Sequence, residues 1–531
     1  MIVRIPIPWL ATLLILLWSN SAWAVSEVIL QAARDVEVEG QTASDFIGSP
    51  SAQDPHGLIV CDVTGDGYGD LVVGAPRYAS YGRVYVLFGS DSMVDKFDLS
   101  AGADFIVSGS PPSWNISGSL GCGDFNGDGV DDLVIGAPDQ NTYLGGVYVI
   151  YGDAALGGEL DLAISSADIT ITGHAGELGR DVALADVNAD GIDDLILGAP
   201  SADSDPDGLG SRLDAGVVVV LYGGSSHASA IDLDVTPADV IVYGNNENGT
   251  ASRIGHRLDT GDFNGDGTAD LLFGYYHAEH LGWDSPGYSG VFWSVLGGAA
   301  LNSEYDLADG EYDIKVYGSG SARGLGERII TGDLNGDGYD EMIFLASDGN
   351  PSRVTVVEGS ADIGGTTGDI ETLASQILYF ASNQGYGGLA AGDIDLDGYD
   401  DLLIGNPFAS PNAVPWAGEA YLFFGQATLP TPLDADADGD LVIQGQDDGA
   451  YLGLQLTMGS MANSGGPELI VGAPQADVTG RRSAGKVFVF LGTEMQVLLD
   501  RIATVPLAAP IGLGVLVMAL SAGGYRRLVR K

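Results

Sequence analysis

Acidic side chains recur at one fixed spacing in six short stretches of this chain. In residues 124–132, which read DFNGDGVDD, oxygen-bearing side chains stand at positions 1, 3, 5 and 9, and glycine stands at position 6. Such spacing surrounds a hard cation, because alternate short side chains converge on one point, position 7 offers a backbone carbonyl, and glycine permits the sharp turn. All the donors are oxygen atoms, which favours Ca²⁺ over a transition metal. The sequence therefore predicts about six bound Ca²⁺ ions.

The six predicted calcium loops begin 60 to 76 residues apart and keep the same ligand positions. Positions 1, 3, 5, 7 and 9 of the successive loops are Asp62, Thr64, Asp66, Tyr68 and Asp70; Asp124, Asn126, Asp128, Val130 and Asp132; Asp186, Asn188, Asp190, Ile192 and Asp194; Asp262, Asn264, Asp266, Thr268 and Asp270; Asp333, Asn335, Asp337, Tyr339 and Glu341; and Asp393, Asp395, Asp397, Tyr399 and Asp401. A simpler interpretation is that the Asn-Gly and Asp-Gly pairs only make hairpin turns. A turn needs the glycine but not the carboxylates, so six copies with the same oxygen positions favour metal binding.

Position 12 excludes two other loop types with similar spacing. A helix–loop–helix calcium hand requires a bidentate glutamate at that position, and a dockerin-type loop requires an acidic residue. Here the residues at position 12 are all apolar: Val73, Ile135, Leu197, Phe273, Phe344 and Ile404. Short β-type runs follow the loops, as at residues 71–73 and 133–135. Each loop is therefore expected to join two strands.

Short strand-like runs surround every loop in the same order. An inner strand leads into the loop, a second strand often ends in Gly-Ala-Pro, a third strand begins near residues 84, 147, 217, 291, 354, 420 and 487, and a fourth strand completes the unit. This repeat predicts an all-β fold, a seven-bladed β-propeller of four-stranded antiparallel blades. The seventh loop has too few carboxylates, since its aligned positions are Ser460, Ala462, Ser464 and Glu468. Residues 36–40 have a fourth-strand pattern with no blade before them, so we expect them to close the ring against the last blade.

The pattern Asp-x-Asn-Gly-Asp-Gly-x-x-Asp-Leu-x-x-Gly-Ala-Pro, nearly complete at residues 124–138 and 186–200, resembles the FG-GAP repeat of integrin α-subunit heads and their bacterial relatives. The resemblance covers about residues 35–495. Gly-Ala-Pro is lost at residues 273–276 and 345–347, which puts the local turn in doubt but not the metal site. The resemblance implies calcium loops on one face of the propeller and ligand binding on the other.

Charge and motif content bear on the class of function. The net charge of −52 argues against nucleic acid as a partner. The sequence has no Gly-x-Ser-x-Gly motif, no phosphate-binding loop and no paired carboxylates outside the calcium pattern. On this basis we expect a protein that is not an enzyme.

Both ends of the chain carry apolar segments. Residues 1–24 combine an arginine, an apolar run and small residues at the end, which predicts a signal peptide followed by an exported propeller at residues 25–495. Residues 502–524 contain no charge and are long enough to span a bilayer, and residues 525–531 form a basic tail expected in the cytoplasm. This end also resembles bacterial sorting tails that exosortase-type transpeptidases recognise, so a retained anchor and a cleaved tail both stay open. Either outcome predicts a cell-surface or extracellular location.

Three smaller features have open interpretations. Cys61 and Cys122 precede the first two loops on neighbouring inner strands, and an exported chain permits either a disulfide or two free thiols there. His277 and His280 flank Glu279, which suggests zinc, but the lack of a third ligand at a fixed spacing favours a solvated loop. Residues 434–439 (DADADG) imitate the core of a calcium loop but stand before a fourth strand.

Aromatic residues mark the long loops between second and third strands, on the face away from the calcium. These loops are residues 201–215, 275–289 and 408–417. The candidate ligand-binding residues are Tyr275, Tyr276, Trp283, Tyr288 and Trp416. Exposed aromatic side chains on a ring face suit recognition of a protein or a sugar. The alternative is that they pack the loops themselves.

These features predict a calcium-binding adhesion or binding module on the cell surface, with an extracellular protein or carbohydrate as its ligand. Two other interpretations are the propeller scaffold of a secreted polysaccharide-degrading enzyme and a structural surface-layer protein. The first requires acids and a base in one cleft, and the second requires ordered self-association. The fold alone does not choose among them.

Overall fold

The computed structural model describes most of the chain between residues 36 and 490, together with four isolated strands nearer the ends. The described ranges are 36–48, 57–91, 96–109, 116–117, 119–204, 212–247, 250–278, 289–318, 324–346, 352–379, 387–428, 433–434, 439–461 and 466–490, with 12–17, 26–29, 514–519 and 527–530 outside them.

Seven similar sheets follow one another and form the seven blades of a β-propeller, which confirms the predicted fold. The innermost strands of blades one to seven are Leu58–Cys61, Ser119–Gly123, Val182–Ala185, Arg257–Gly261, Leu325–Gly332, Leu389–Gly392 and Gln455–Gly459. The second strands are Asp70–Ala75, Asp132–Gly136, Asp194–Ala199, Asp270–Tyr275, Glu341–Ala346, Asp401–Asn406 and Glu468–Ala473. The third strands are Arg83–Leu87, Val147–Ile150, Val217–Leu221, Val291–Val295, Arg353–Val357, Glu419–Phe423 and Lys486–Phe490. The fourth strands are Phe105–Ser108, Ile169–Thr172, Val240–Tyr243, Ile314–Tyr317, Gln376–Tyr379, Leu441–Gln444 and, for blade seven, Val36–Glu39.

These four strands are antiparallel within each blade. In blade two, Val134 of the second strand pairs with Gly121 on one side and Val149 on the other. The second strands are buried along their length, as in Asp194–Ala199, except that Tyr275 at the end of the fourth one is half-buried. Blades cover both faces of these strands, which explains their nearly continuous apolar runs.

Each blade also has a fifth strand, which runs parallel to the fourth strand and comes from another part of the chain. In blade one, Gly158–Asp161 pairs with Phe105–Ser108, although it lies in the sequence between the third and fourth strands of blade two. The fifth strands of blades one to seven are Gly158–Asp161, Ala230–Asp232, Glu304–Asp306, Thr367–Asp369, Leu433–Asp434, Ser26–Ile29 and Lys96–Asp98. The predicted four-stranded blade was therefore incomplete, because a very short strand donated across repeats leaves no periodic signal.

Residues near the N-terminus close the ring, as predicted. Val36–Glu39 pairs antiparallel with Lys486–Phe490 in blade seven. Ser26–Ile29 pairs in parallel with Leu441–Gln444 in blade six. The last blade is thus built from two distant parts of the chain, which removes an exposed sheet edge.

The remaining elements are short. Within the described ranges, two α-helical turns are Gln140–Tyr143 and Ile370–Leu373, and three 3₁₀ turns are Tyr78–Ser80, Leu99–Ala101 and Pro411–Ala413. The further strand pairs are Asn246–Glu247 with Thr250–Ala251, Thr12–Leu17 with Gly514–Ala519, and Arg527–Arg530 with Ser26–Ile29.

No helix within the described ranges is both long and apolar enough to cross a membrane. The predicted span at residues 502–524 lies outside the described residues except for Gly514–Ala519, which form a strand instead of a helix. These residues pair antiparallel with Thr12–Leu17. The signal peptide and the membrane span stay predictions.

The core of the propeller lies between the blades. One cluster joins blades two and three through buried side chains that include Val134, Val149, Leu195 and Val219. Full burial of each such side chain stabilises the fold by about 1.5–3 kcal/mol. This packing sets the distance between loops of neighbouring blades.

Candidate metal centres and the opposite face

Each predicted calcium loop joins the inner strand of its blade to the second strand. Because the inner strands are equivalent in every blade, all six loops emerge on one side of the ring, which we call the calcium face. The second strands end on the other side, which we call the opposite face.

The first aspartate folds each loop onto itself. In the second loop, the Asp124 carboxylate accepts hydrogen bonds from the backbone N–H groups of Asp128 at 2.9 Å and Gly129 at 2.8 Å. Position 1 accepts the same two bonds in the other five loops. The Asp128 carboxylate accepts from the N–H of Val130 at 3.0 Å. These bonds lie within the nine residues, so the turn is encoded locally.

The last carboxylate of the loop is buried and anchors it to the blade. Asp132 is fully buried and accepts hydrogen bonds from the backbone N–H groups of Asn126 at 3.0 Å and Gly152 at 2.9 Å. The side-chain amide nitrogen of Asn126 donates to the same carboxylate at 3.0 Å. The amide oxygen of position 3 is therefore the atom available to a cation.

Burial disfavours the charged form of these anchoring carboxylates. Burial, with a smaller contribution from neighbouring loop carboxylates, raises the pKa of Asp70, Asp132, Asp194 and Asp270 to about 7 and the pKa of Glu341 and Asp401 to about 8. A divalent cation among them would favour the charged form and reverse the effect.

Two loops show directly that ligand atoms converge. One carboxylate oxygen from each of Asp333, Asp337 and Glu341 lies within 4.8 Å of the others, and the same is true of Asp393, Asp395 and Asp401. A compact set of hard oxygen donors fits Ca²⁺. The residues predicted from the sequence could therefore hold the ion, which would supply the positive charge that converging carboxylates require.

The seventh loop keeps the buried anchor of the other loops but lacks their other carboxylates. Its position 9, Glu468, is buried and accepts a hydrogen bond from the N–H of Met461 at 2.6 Å, in the manner of the other anchors. Position 1 is Ser460, which offers no carboxylate. A blade can therefore keep its buried anchor at position 9 without carboxylates at positions 1 and 5.

Cys61 and Cys122 form a disulfide, with their Cα atoms 6.2 Å apart. They stand at or near the ends of the inner strands of blades one and two, directly before the first two calcium loops. The oxidised alternative is therefore the correct one. The bond cross-links two neighbouring blades over a sequence separation of 61 residues.

Neighbouring loops also contact one another, which the sequence did not reveal. The backbone N–H of Asp262 donates to the carboxylate of Asp340, at position 8 of the next loop, at 2.8 Å. The carbonyl of Phe263 accepts a hydrogen bond from the N–H of Ser360 in that next blade at 2.9 Å. Position 8 is not among the predicted ligands, and its successive residues are Gly69, Asp131, Asp193, Ala269, Asp340 and Asp400.

The predicted ligand-binding aromatics on the opposite face differ in exposure. Tyr275 and Tyr276 are half-buried, with ring centroids 4.8 and 5.5 Å from the ring of His256. Their contacts with His256 and, for Tyr276, with Arg257 favour the alternative that they pack the loop, and ligand binding by them stays a prediction. Trp416 is 51% exposed. Trp283 and Tyr288 lie outside the described residues, as do Glu279 and His280 of the zinc alternative.

Two further predicted features are partly described. The Nδ1 atom of His277 lies 3.4 Å from the hydroxyl of Tyr275, within the same aromatic cluster. In the segment that imitates a calcium loop, Asp434 belongs to the fifth strand of blade five, and residues 435–438 lie outside the described residues.

The opposite face carries a repeated feature that sequence reasoning missed. At four junctions between blades, a residue before the third strand and a residue before the next inner strand both have a left-handed backbone. These junction pairs are Tyr143 (φ 68°) and Glu177 (65°), Asp214 (52°) and Arg253 (49°), Trp416 (48°) and Tyr451 (55°), and Ser483 (50°) and Phe46 (55°). In all four pairs, the next residue along the chain from each member takes part in a backbone hydrogen bond. The N–H donors and carbonyl acceptors are Leu178 and Leu144, Ile254 and Ala215, Leu452 and Ala417, and Ile47 and Ala484. One backbone arrangement thus presents different side chains at each junction.

The fold is a seven-bladed β-propeller, and four segments of the chain match the model of a known repeat. Residues 56–87, 118–150, 178–221 and 385–423 match the family model described as FG-GAP repeat. These segments contain the loops of blades one, two, three and six. The other two calcium loops precede the strands in which Gly-Ala-Pro is lost.

The chain is homologous to two groups of proteins. It is 33% identical to phosphatidylinositol-glycan-specific phospholipase D of Bos taurus over 250 residues, which are 44% of this chain and 28% of that protein. It is 27% identical to the Homo sapiens protein of that name over 436 residues, or 74% of this chain and 48% of that protein. It is 28% identical to integrin alpha pat-2 of Caenorhabditis briggsae over 254 residues, or 46% of this chain and 19% of that protein. The matches thus cover less than half of the length of each of these relatives.

The relatives overturn one expectation from the sequence. The lack of a catalytic motif led us to expect a protein that is not an enzyme, yet five relatives at 27–34% identity are named phosphatidylinositol-glycan-specific phospholipase D, an enzyme. Catalytic side chains can come together from distant positions, and one fold hosts many activities. The lack of a linear motif was therefore no ground for excluding catalysis.

Proposed function

We propose that this chain is an extracellular calcium-binding adhesion module whose ligand binds on the opposite face. The observation that carries the proposal is the junction pair Trp416–Tyr451. The two rings are nearly parallel, with an interplanar angle of 20° and centroids 6.2 Å apart. Trp416 is 51% exposed, so this large apolar side chain is offered to solvent on the surface of the ring.

Trp416 and Tyr451 both have a left-handed backbone conformation, which costs conformational free energy. A left-handed conformation is unfavourable for bulky residues and persists only where the surroundings enforce it, so it is concentrated at binding sites. The N–H of Tyr451 donates to the carbonyl of Trp416 at 3.0 Å, and the ring of Phe408 meets Tyr451 edge-on at 5.5 Å. Rigid Trp and Tyr side chains supported in this way are typical of residues that dominate binding energy at interfaces.

Other junction pairs extend the same surface. Tyr143 is 61% exposed at the junction with Glu177, and Arg253 lies 3.7 Å from Asp214 in an exposed ion pair. The chemistry changes from junction to junction while the backbone stays the same, which suits a partner held by several different contacts. A protein or a carbohydrate could make these contacts, and the integrin alpha relatives favour a protein.

Calcium would act on the other side of the ring. Ions in the six loops would offset part of the net charge of −52 and reduce repulsion between loop carboxylates. The leader-like residues 1–24 and the apolar residues 502–524 support export and attachment at the cell surface. Calcium sites of extracellular modules typically bind at about 10⁻⁴–10⁻³ M, which suits that location.

Binding measurements with Trp416→Ala test this function. The full chain, with calcium, is applied to immobilised extracellular-matrix proteins and to a glycan array. We expect binding to at least one probe, with a Kd about tenfold or more higher for Trp416→Ala. Ile164→Ala is the matched control, because Ile164 is 85% exposed but lies outside the junction pairs. Binding to no probe, or equal affinities of Trp416→Ala and the wild type, would contradict the proposal.

A second candidate function is cleavage of phosphatidylinositol glycans. The match to the human phospholipase D extends over 74% of this chain, whereas the integrin alpha pat-2 match covers 46%. The full chain, with calcium, is incubated with a protein carrying a glycosylphosphatidylinositol anchor, and release of that protein from the detergent phase is measured. Release above that of the heat-inactivated chain supports this candidate. No release by the folded, calcium-loaded chain eliminates it.

A further inference from the structure

The calcium loops of neighbouring blades are joined by hydrogen bonds into a belt. At four junctions, the backbone N–H of position 1 donates to the carboxylate of position 8 in the next blade. The bonds run from Asp62 to Asp131 (2.9 Å), from Asp124 to Asp193 (3.0 Å), from Asp262 to Asp340 (2.8 Å) and from Asp333 to Asp400 (3.0 Å). Position 1 carries a predicted ligand, and position 8 lies between the ligands at positions 7 and 9. Each bond therefore links the ligand sets of two neighbouring sites.

Glycines directly before position 1 make room for three of these carboxylates. A methyl group added to Gly123, Gly261 or Gly332 would lie 2.5, 2.9 or 2.8 Å from the Oδ2 atom of Asp193, Asp340 or Asp400, respectively. Such distances are too short for a carbon and an oxygen, so alanine at any of these three glycines would force the carboxylate to shift, whereas Cys61 before the first loop is compatible with the bond to Asp131. The third loop differs, because Ala185 precedes its position 1 and position 8 of blade four is Ala269, which has no carboxylate to accommodate.

A second contact between the same loops shows matching sizes. The side chain at position 7 lies over position 4 of the preceding loop. A methyl group on Gly65, Gly127, Gly265 or Gly336 would lie 2.8, 3.0, 2.5 or 2.6 Å from the side chain of Val130, Ile192, Tyr339 or Tyr399. At the other two junctions the sizes change together. The smaller Thr268 at position 7 faces Ala189 at position 4 of the preceding loop, and Gly466, which has no side chain, faces the larger Leu396. Complementary sizes are expected of surfaces in close van der Waals contact.

We infer that the position-8 aspartates are positioning residues for the calcium loop of the preceding blade, and that the six sites consequently bind calcium as two coupled groups of three. This inference rests on the proposed calcium binding. Positions 7 and 9 of one loop would be held in place by a shared ion, and the position-8 carboxylate between them would be held with them. That carboxylate holds position 1 of the preceding loop, which is then preorganised for its own ion. By linkage, the effect on affinity is reciprocal.

The residues at position 8 set the limits of the two groups. Between blades three and four, position 8 is Ala269, and its backbone N–H donates to the carbonyl of Asp186 at 3.1 Å without a side-chain bond. Blade seven lacks carboxylates at positions 1, 3 and 5, and position 8 of blade one is Gly69. The sites of blades one to three therefore form one group, and those of blades four to six form the other.

Calcium-binding isotherms of the full chain, measured by equilibrium dialysis with Ca²⁺ alone, test the coupling. The wild type should bind six ions with a Hill coefficient above 1. Asp340→Ala removes no predicted ligand, so it should keep six sites, with about tenfold weaker binding at one or more of them because a charge-assisted hydrogen bond is lost. Asp340→Asn keeps an acceptor oxygen and should restore most of the affinity. Asp309→Ala, at an exposed aspartate outside the belt, is the matched control.

A gain-of-function variant keeps the inference testable if Asp340→Ala does not fold. Ala185→Gly with Ala269→Asp installs the missing glycine and carboxylate between blades three and four. We expect this double variant to join the two groups and raise the Hill coefficient, whereas Ala185→Gly alone should leave it unchanged. Six independent sites in the wild type, with unchanged isotherms in the variants, would overturn the coupling only. A wild type that binds no calcium would overturn calcium binding itself.

Discussion

The guanidinium of Arg481 donates two hydrogen bonds to the carboxylate of Asp98, at 2.6 and 3.0 Å, across 383 residues of sequence. Asp98 ends the strand Lys96–Asp98, which the first repeat contributes to blade seven. Arg481 also donates to the backbone carbonyl of Gly40 at 2.6 Å, directly after the strand Val36–Glu39. One side chain of the last blade therefore binds both strands that the beginning of the propeller supplies to it.

This pair predicts how ring closure responds to pH. The hydrogen bond from Arg481 is the main cause that lowers the pKa of Asp98 from 3.8 to about 2. A carboxyl with a lowered pKa stabilises the folded state above its ordinary pKa, and this contribution is lost as the pH falls from about 4 through about 2. We expect the thermal midpoint, followed over this acid range, to fall less steeply in Asp98→Asn than in the wild type.

The difference between the two proteins should shrink in high salt, because the Asp98 side chain is 41% exposed and its attraction to Arg481 is screened. Parallel pH profiles of the midpoints would show that the pair does not stabilise the ring.

Removal of one loop carboxylate should remove one ion. Asp128→Ala deletes the position-5 ligand of the second loop, so metal analysis of the dialysed full chain should show about one Ca²⁺ fewer than in the wild type. Ser460→Ala, at position 1 of the loop without the carboxylate set, is the matched control and should keep the wild-type content. A stoichiometry in Asp128→Ala equal to that of the control would rule out the second loop as a site.

Chelation should lower the stability of the whole propeller. At a free calcium concentration of about ten times Kd, each site stabilises the folded state by about 1.4 kcal/mol, which is about 8 kcal/mol for six sites. We expect EDTA to lower the melting temperature by several degrees and calcium to restore it. Magnesium should restore it poorly, because that smaller ion demands stricter octahedral geometry. A melting temperature indifferent to calcium would mean that the loops are only turns.

Loss of the disulfide should destabilise the first two blades. The Cys61–Cys122 bond closes a long segment, with a sequence separation of 61 residues, and a loop of that size is worth about 4 kcal/mol in chain entropy. Cys61→Ser with Cys122→Ser should therefore unfold at lower urea concentration than the oxidised wild type. Dithiothreitol should shift the wild type towards the double variant and leave the double variant itself unchanged. Coincident transitions under oxidising conditions would contradict this role.

The turns of the six loops and the strands of the blades were predictable because their patterns are local. Asp124 bonds the backbone of Gly129 five residues away, so the order of residues is enough to define the turn. The strands follow from apolar runs bounded by turn residues, and residues 36–40 showed the same pattern as the other fourth strands. The fold, the number of blades and the six candidate sites were therefore determined by the sequence itself.

The tertiary structure alone decided which residues meet between repeats. Asp340 accepts its hydrogen bond from Asp262 because buried strands stack the two blades at a set distance, although 78 residues separate them in the chain. The same stacking places the ring of Tyr451 beside that of Trp416 and buries part of Tyr276 against His256. A periodic sequence specifies each blade, but the contacts across blades depend on packing distances and on the curvature of the closed ring, for which no short stretch of sequence carries a signal.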